Sequence, residues 1–318
     1  MHEHGTQSAL GEGLLAEVAD GLSRLQKELS PRLFYDQRGS DLFDEITRLP
    51  EYYPTRLERM LLETHGAKWM RTRAPGPRSL IELGAGSADK TRILLDTMPR
   101  DGWYVPIDIS ASYLSAVESA IGAEYRHLTI LPVVSDISGG PVMPEHAPRP
   151  AVIAFLGSTI GNFEPAAATK LLSGVRSALQ VEDRFIMGAD LVKDVRVLER
   201  AYNDSRGVTA DFNLNILRVL NRELDAAFDL DTFEHRAFYN EDDARIEMHL
   251  VSKRDQIVEL PGSAAVEFNK GETIRTEISC KYTRRSIEQL FARSDLVLDE
   301  WITDASGWYA LAIGRAAR

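Results

Sequence analysis

The sequence contains almost no cysteine and no long apolar run. Cys280 is the only cysteine among 318 residues, which excludes an internal disulfide and a cysteine-rich metal site. A single cysteine also favours a reducing, cytoplasmic compartment. No segment approaches the roughly 18 consecutive apolar residues of a membrane helix, and the N-terminal residues lack the basic and apolar regions of a signal peptide. We therefore expect a soluble cytoplasmic protein.

Positive charge is also scarce. The chain has 37 Lys and Arg against 48 Asp and Glu, a formal net charge of −11. A surface that follows a phosphate backbone is normally basic, so we expect no nucleic acid partner. His2 and His4 form a pair without third and fourth ligands, and His235 and His249 belong to different segments without a carboxylate motif at metal spacing, so we expect no metal. We expect a small-molecule substrate and a monomer.

The middle of the chain alternates between short apolar runs and helical patterns. The helical patterns include Tyr113–Ile121 and Ala166–Leu179. Alternation of this kind predicts an α/β fold with a doubly wound parallel sheet and helices on both faces. The predicted strands are Ser79–Leu83, Trp103–Ile107, Leu128–Val134, Ala151–Leu156 and Arg184–Gly188.

The flanking parts of the chain have a different pattern of apolar residues. Helical spacing predicts helices over Leu14–Leu29 and Leu198–Leu224, and the C-terminal part reads as a helix and two strands. Residues 245–279 alternate between polar and apolar side chains, as in half-buried strands. We predict two interleaved domains, of residues 57–192 plus 282–318 and of residues 1–56 plus 193–281. The remaining predicted elements are strands Arg245–Val251, Gln256–Leu260, Ala265–Phe268 and Thr273–Ser279, helix Ser286–Ala292, and strands Leu296–Ile302 and Tyr309–Ile313.

A glycine-rich turn follows the first predicted strand of the sheet. Gly84 and Gly86 stand in the sequence LIELGAGSADKT, directly before a predicted helix. Glycines let the backbone turn sharply and approach a ligand, and a helix N-terminus offers free N–H groups. A dinucleotide fingerprint would need a small residue where Asp89 stands, which argues against NAD.

Acidic residues end the next two strands. Asp108 follows the second apolar run, and Asp136 follows the third. A carboxylate in the first of these positions can accept hydrogen bonds from both hydroxyls of a ribose. The alternative is structural, because the glycines could simply shape a turn and Asp108 could cap a helix that starts near Ala111.

Several longer segments resemble the histidine-specific methyltransferase family, and most closely its bacterial members of the ergothioneine pathway. The likeness covers nearly all of the chain after about residue 30. The segments that carry it are FYDQRGSDLFDEITRLPEYYPTR (34–56), ELGAGSADKTRILLD (82–96), FLGSTIGNFEP (155–165), GADLVKD (188–194), the helix 212–224 and RTEISCKY (275–282).

This resemblance implies a class I methyltransferase that uses S-adenosylmethionine to trimethylate the α-amino group of histidine. Domain 57–192 plus 282–318 would bind the cofactor, and the other domain, of α+β type, would bind the substrate. The cofactor positions would be Gly84, Gly86, Lys90, Asp108, Asp136 and Ile137. The candidate catalytic residues beside the amine would be Tyr35, Gly157 and Thr159. The substrate residues would be Asn162 and Tyr202 at the carboxylate, Tyr52, Glu277 and Ser279 at the imidazole, and Phe43 and Met248 as pocket walls.

The residue types suit this chemistry. A neutral imidazole has one donor and one acceptor nitrogen. Glu277 and Ser279 are two apart on a predicted strand, so they point to the same face. An apolar ring there would leave a buried carboxylate without a partner, which favours histidine over phenylalanine.

Pattern alone leaves structural interpretations open for each of these residues. Glu277 could belong to a solvated strand face, Tyr52 could be a packing residue, and Asn162 could bond its own loop. Lys90 could be a surface helix residue, and Met248 could be a core filler.

Three other functions compete with histidine methylation. The same fold could methylate another amine, such as tryptophan, tyrosine or a protein side chain. An NAD-dependent oxidoreductase would need a small residue at position 89 and a proton relay. A non-catalytic binding module would keep the fold without turnover, and measurable cofactor affinity would test that reading.

Overall fold

The computed structural model describes residues 3–73, 76–86 and 88–317, with side chains from residue 13 onward. The chain forms two compact units. Unit 1 comprises Met1–Tyr53 and Lys193–Ser279, and unit 2 comprises Pro54–Val192 and Cys280–Arg318. The boundaries predicted from the sequence lie after residues 56, 192 and 281. The binding role of each unit stays a prediction.

Helices make up much of both units in the described part of the chain. A single turn of π-helix, Leu62–Gly66, joins α3 to α4. Side-chain caps define several helix starts, for example Ser110, which accepts from Tyr113 N at the start of α6. The α-helices are α1 Glu3–Ser23, α2 Gln37–Ile46, α3 Tyr53–Leu61, α4 Ala67–Thr72, α5 Arg92–Leu95, α6 Ala111–Glu124, α7 Pro165–Ala178, α8 Val195–Tyr202, α9 Val208–Leu224 and α10 Arg284–Arg293.

The strands fall into two main sheets and one short hairpin. Most of the strands that were predicted from apolar runs have bounds within two residues of the prediction. The strands are β1 Lys27–Glu28, β2 Ser79–Leu83, β3 Trp103–Asp108, β4 Thr129–Ile130, β5 Val133–Val134, β6 Ala151–Phe155, β7 Arg184–Asp190, β8 Phe233–Asn240, β9 Arg245–Ser252, β10 Gln256–Val258, β11 Val266–Phe268, β12 Thr273–Cys280, β13 Leu296–Thr303 and β14 Tyr309–Ala316.

Unit 2 is built on an eight-stranded sheet of order β13-β14-β7-β6-β2-β3-β4, with β5 also paired to β3. Strands β2 to β7 run parallel, and β14 lies antiparallel between β7 and β13. From β2 the chain builds outward through β3, then returns to β6 on the other side. In such sheets ligands bind beyond the carboxyl ends of the strands at this switch point. The predicted doubly wound α/β sheet is therefore confirmed.

The core of unit 2 follows from the strand sequences. All five residues of β2 and of β6 are buried, as expected for central parallel strands covered on both faces. One side packs Leu80, Tyr104, Val152 and Ile186 into a single apolar cluster. Each fully buried side chain of this size contributes about 1.5–3 kcal/mol to the free energy of folding.

Unit 1 contains a four-stranded sheet of order β1-β12-β9-β8. Strands β8 and β9 are antiparallel, and β1 pairs in parallel with the start of β12. Helix α9 packs against β8 and β9 and presents Phe212, Ile216 and Leu220 to the interior.

Four elements differ from the prediction. The predicted strand Leu128–Val134 is two short strands, β4 and β5, because Pro132 between them has no N–H to donate to the sheet. The predicted helix Leu14–Leu29 is wrong beyond Ser23, because the chain turns there and residues 27–28 pair with β12. The predicted helix Leu198–Leu224 is two helices, separated where Asp204 accepts hydrogen bonds from the backbone of Val208 and Thr209. Strand β8 was missed, since its half-exposed residues hide the alternation.

Candidate active site

The glycine turn after β2 lies at the switch point of the sheet. Gly84 has φ +65° and Gly86 has φ +49°, a conformation that other residues adopt at a cost of roughly 1–2 kcal/mol. A Cβ atom on either glycine would meet no described atom within 4 Å. Backbone conformation, rather than crowding, therefore requires glycine here, and the space above the turn is open.

The glutamate of the same motif is buried beneath the turn. Glu82 accepts hydrogen bonds from Thr91 Oγ1 and Tyr104 OH. Burial raises its pKa to about 7, although these two hydrogen bonds act in the opposite direction. These hydrogen bonds connect the end of β2, directly before the turn, to the start of α5 and to β3.

The two acidic residues predicted for the cofactor stand where the strands end. Asp108 is the last residue of β3, half-buried, and its Oδ1 accepts from Ser110 N at 3.0 Å. The alternative in which Asp108 caps α6 is wrong, because Ser110 is the cap. Asp136 follows β5, is exposed, and accepts from Ser138 N and Ser138 Oγ at 2.8 and 3.0 Å. Ile137 begins the short 3₁₀-helix after it and is half-buried.

A buried carboxylate connects the segment after the glycine turn of β2 with the loop after β6. It was not among the predicted site residues. Glu58 of α3 is fully buried and forms an ion pair with Lys90. Its oxygens accept from Gly157 N at 2.8 and 2.9 Å and from Tyr309 OH at 2.7 Å. The side chain of Lys90 is only 20% exposed, so the interpretation of Lys90 as a surface helix residue is wrong. No sequence pattern distinguishes Glu58, which stands in the charged helix segment TRLERM.

The loop after β6 is held in an uncommon backbone conformation. Gly157 has φ +78° and Ser158 has φ +55°. Ser158 Oγ accepts from Asp190 N at 2.9 Å, and Thr159 Oγ1 donates to Leu156 O at 2.8 Å. The loop ends in a 3₁₀-helix, Thr159–Asn162, whose last residue is half-buried. Uncommon conformations held by several contacts are frequent at functional sites.

Unit 1 brings together four of the predicted site residues, Tyr35, Phe43, Tyr52 and Tyr202, as a run of aromatic rings. The ring centroids of Tyr35 and Phe43 are 6.0 Å apart, those of Phe43 and Tyr52 are 6.4 Å apart, and those of Tyr52 and Tyr202 are 6.1 Å apart. All three pairs are edge-to-face. Phe212 of α9 contacts both Tyr35 and Phe43 at 6.0 Å. Phe212 was not among the predicted site residues, although its helix lies in a segment that carries the family resemblance.

The aromatic run meets β12 at its polar end. Tyr202 OH donates to Ser279 Oγ at 2.8 Å, and both residues are buried. Glu277 stands two residues earlier on the same strand and is half-buried. Met248 on β9 is buried, and its carbonyl accepts from Thr276 Oγ1 at 3.1 Å. These residues place hydroxyl, carboxylate and aromatic groups on neighbouring parts of one unit.

A half-buried histidine holds the backbone of Tyr202. His235 Nε2 lies 2.8 Å from Tyr202 O, and His235 Nδ1 lies 2.9 Å from Asn213 Nδ2. Asn213 also donates to His249 O and accepts from Thr276 Oγ1, so its amide nitrogen must be the donor to His235. His235 is then neutral and donates from Nε2. Burial lowers its pKa, which maintains this state.

The predicted residues therefore separate by unit. Unit 2 holds all six cofactor positions and the loop residues Gly157, Thr159 and Asn162, whereas unit 1 holds the others. Among the residues that the structure describes, no group of three His, Cys, Asp or Glu side chains is placed to bind a metal ion. No helix in the described ranges has the length and apolar character to cross a membrane.

Comparison with known proteins identifies the family. Residues 14–316 match the model of the family described as histidine-specific, SAM-dependent methyltransferase. The chain is 45% identical to the histidine N-alpha-methyltransferase of Mycolicibacterium smegmatis, over 95% of this chain and 94% of the relative. It is 41% identical to the same-named protein of Mycobacterium tuberculosis, over 94% of each. It is 30% identical to ergothioneine biosynthesis protein 1 of Neurospora crassa, over 86% of this chain and 32% of that protein.

The matched range includes both units, every predicted site residue and the switch-point sheet. The glycine turn, the acidic strand ends and the antiparallel β14 all fit a class I methyltransferase. The chain belongs to the histidine-specific, S-adenosylmethionine-dependent methyltransferase family.

Proposed function

We propose that the protein transfers three methyl groups in succession from S-adenosylmethionine to the α-amino nitrogen of L-histidine. The product is the betaine hercynine, a step of ergothioneine biosynthesis. The names of the two bacterial relatives and of the Neurospora crassa protein support this reaction. The structural observation that carries it is the Tyr202–Ser279 hydrogen bond, which joins a proposed carboxylate residue to a proposed imidazole residue.

The proposed cofactor site fits the groups that it would hold. The open turn at Gly84 and Gly86 would receive the amino acid end of the cofactor beside the N–H groups that follow it. Asp108 would bind the ribose hydroxyls, and Asp136 with Ile137 would flank the adenine. When bound, the cofactor supplies a sulfonium methyl group with a good leaving group, so the protein needs to provide neither a metal nor a covalent intermediate.

The proposed substrate site distinguishes histidine by polar groups. Asn162 and Tyr202 would hold the carboxylate, while Tyr52, Glu277 and Ser279 would surround the imidazole. Glu277 would accept a hydrogen bond from the ring N–H, and a hydroxyl would serve the other nitrogen. A site built for hydrogen bonds rejects a ring that lacks them by more than an apolar pocket can.

The remaining residues would position and stabilise the amine. In-line displacement requires nitrogen, carbon and sulfur to be nearly collinear, and such positioning can supply roughly 7–11 kcal/mol. Tyr35 and the loop of Gly157 and Thr159 would lie beside the nitrogen, with Phe43 and Met248 as walls. Aromatic faces also attract the quaternary ammonium that forms after the third transfer.

A mass-spectrometric turnover assay tests the reaction. The protein is incubated with S-adenosylmethionine, an equimolar mixture of the twenty amino acids and a hydrolase that removes S-adenosylhomocysteine. We expect a gain of three methyl groups on histidine alone. Methylation of tryptophan or tyrosine instead would overturn the roles of Glu277 and Ser279, and absence of any transfer would overturn the proposed reaction.

A further inference from the structure

We infer that Glu58 is a positioning residue for methyl transfer. Its carboxylate holds the Lys90 ammonium and the Gly157 N–H in one fixed geometry at the carboxyl ends of β2 and β6. This inference rests on the proposed function, because Lys90 and Gly157 are placed at the cofactor and the amine by that proposal.

The contacts of Glu58 define its position from several sides. Three donors reach one fully buried carboxylate: an ammonium, a backbone N–H and a phenol. A buried charge is costly unless it is paired and hydrogen-bonded. The carboxylate is therefore stable only where all three donors meet, and it fixes them in return.

The sheet leaves room for this carboxylate by means of a glycine. A Cβ atom at Gly188 of β7 would lie 2.0 Å from Glu58 Oε1 and 2.6 Å from Tyr309 OH. Gly188 has an ordinary backbone conformation, so close approach is the reason for glycine here. The glycine at this position of β7 therefore leaves the space that the Glu58 carboxylate occupies.

Two of the three donors to Glu58, Lys90 and Gly157, belong to the proposed reaction centre. A Cβ atom at Gly157 would lie 3.7 Å from Lys90 Nζ and 3.2 Å from Thr159 Oγ1. The ammonium, the loop backbone and the first residue of the following 3₁₀-helix are therefore neighbours. A displacement of Glu58 would move all of them, and a misplacement of about 1 Å can cost about 100-fold in rate.

A purely structural role is the alternative, and unit 2 contains a matched control for it. Asp183 is also fully buried and forms an ion pair with Arg149. It accepts from Ala151 N at 2.7 Å and Gln180 N at 2.7 Å. Asp183 therefore binds the first residue of β6, whereas Glu58 binds the backbone just after its last one. The main difference between the two carboxylates is therefore which end of β6 each one binds.

The test compares Glu58→Gln with Asp183→Asn in the full chain. An amide has one accepting oxygen, and its NH₂ group faces donors, so each change disrupts the same kinds of contact. We measure the thermal midpoint, the Kd for S-adenosylhomocysteine by calorimetry, and kcat and KM for histidine. Glu58→Gln should weaken S-adenosylhomocysteine about tenfold and lower kcat about 100-fold, with KM changed less than about threefold. Asp183→Asn should lower the thermal midpoint with Kd and kcat changed less than about threefold.

Equal effects of the two substitutions on kcat and Kd would overturn the inference. If Glu58→Gln does not fold, Tyr309→Phe removes one hydrogen bond to Glu58 and leaves both charges in place. It should lower kcat about fivefold, and an unchanged kcat would count against the inference. If the unaltered protein does not methylate histidine, the proposed function fails, while the S-adenosylhomocysteine affinities of the two variants still decide the role of Glu58.

Discussion

The sheet of unit 2 is parallel over six strands, and its candidate cofactor site combines glycine backbone with acidic side chains that follow the strands. The sheet of unit 1 is mixed and has four strands, and its candidate substrate site consists of aromatic rings, a carboxylate and hydroxyls. The first set of groups suits a ligand with a ribose and charged ends, whereas the second set selects among ring types. The difference teaches that cofactor binding and substrate choice should respond to separate substitutions.

The largest effect is expected at the glycine turn. Gly84→Ala should weaken S-adenosylhomocysteine about 100-fold, because the new methyl group fills the open space and strains the backbone. Calorimetry measures the change. Gly271→Ala is the control, since Gly271 has φ +86° and equally open surroundings in unit 1. A comparable loss of affinity for S-adenosylhomocysteine in Gly271→Ala would contradict the assignment of cofactor binding to the turn in unit 2.

The two units should also differ in their response to pH through two buried glutamates. Burial raises the pKa of Glu82 to about 7. For Glu247 in unit 1, burial acts in the same direction, but hydrogen bonds from His249, Asn240 and Arg245 outweigh it and lower the pKa to about 2.

A raised pKa contributes stability at low pH that is lost as the pH rises through about 7. Relative to Glu82→Gln, the unaltered protein should therefore lose about 2 kcal/mol of unfolding free energy between pH 5 and pH 8. Because the pKa of Glu247 is lowered, the difference in unfolding free energy between the unaltered protein and Glu247→Gln should stay constant between pH 5 and pH 8. Urea denaturation at each pH measures both differences. A difference between the unaltered protein and Glu82→Gln that stays constant from pH 5 to pH 8 would contradict the account.

A smaller and more selective effect is expected from Glu277→Ala. Loss of a hydrogen bond to a charged group should raise the KM for histidine about 30-fold. The Kd for S-adenosylhomocysteine should stay within about threefold of its original value. Glu267 is exposed on β11, so Glu267→Ala is the control for the loss of a glutamate from a strand. Equal weakening of both ligands would remove Glu277 from the substrate site.

The smallest effect is expected from Phe212→Leu. The loss of ring contacts with Tyr35 and Phe43 should raise the KM for histidine about threefold, along with a stability loss of about 1 kcal/mol. Phe185→Leu makes the same change in the core of unit 2, where the ring contacts Phe291 at 6.0 Å. It should cost similar stability with an unchanged KM, and a raised KM in this control would show that general destabilisation explains the effect.

Much of unit 2 could be predicted from sequence because its central strands are continuous apolar runs. The bounds of β2 agree with the prediction, and the sharp turn expected at Gly84 and Gly86 is present, with positive φ angles at both residues. Unit 1 was harder, since β8 has half-exposed residues on both faces. The family resemblance, rather than spacing, pointed to Tyr35 and Tyr202.

Contacts between distant segments were the part that sequence did not reveal. Glu58 precedes Gly157 by 99 residues and Tyr309 by 251 residues, and nothing local distinguishes it from a solvated helix glutamate. His235 likewise supports Tyr202 only through the fold. Long-range partners of this kind leave no periodic pattern in a single sequence.

The position of the transferred methyl groups tests the central claim most directly. Histidine labelled with ¹⁵N at the α-amino group is incubated with S-adenosylmethionine labelled with ¹³C in the methyl group, and the product is examined by NMR. The account predicts one signal from three equivalent methyl groups, each coupled to the labelled nitrogen. Methyl signals without this coupling would place the transfer on an atom other than the α-amino nitrogen and contradict the account.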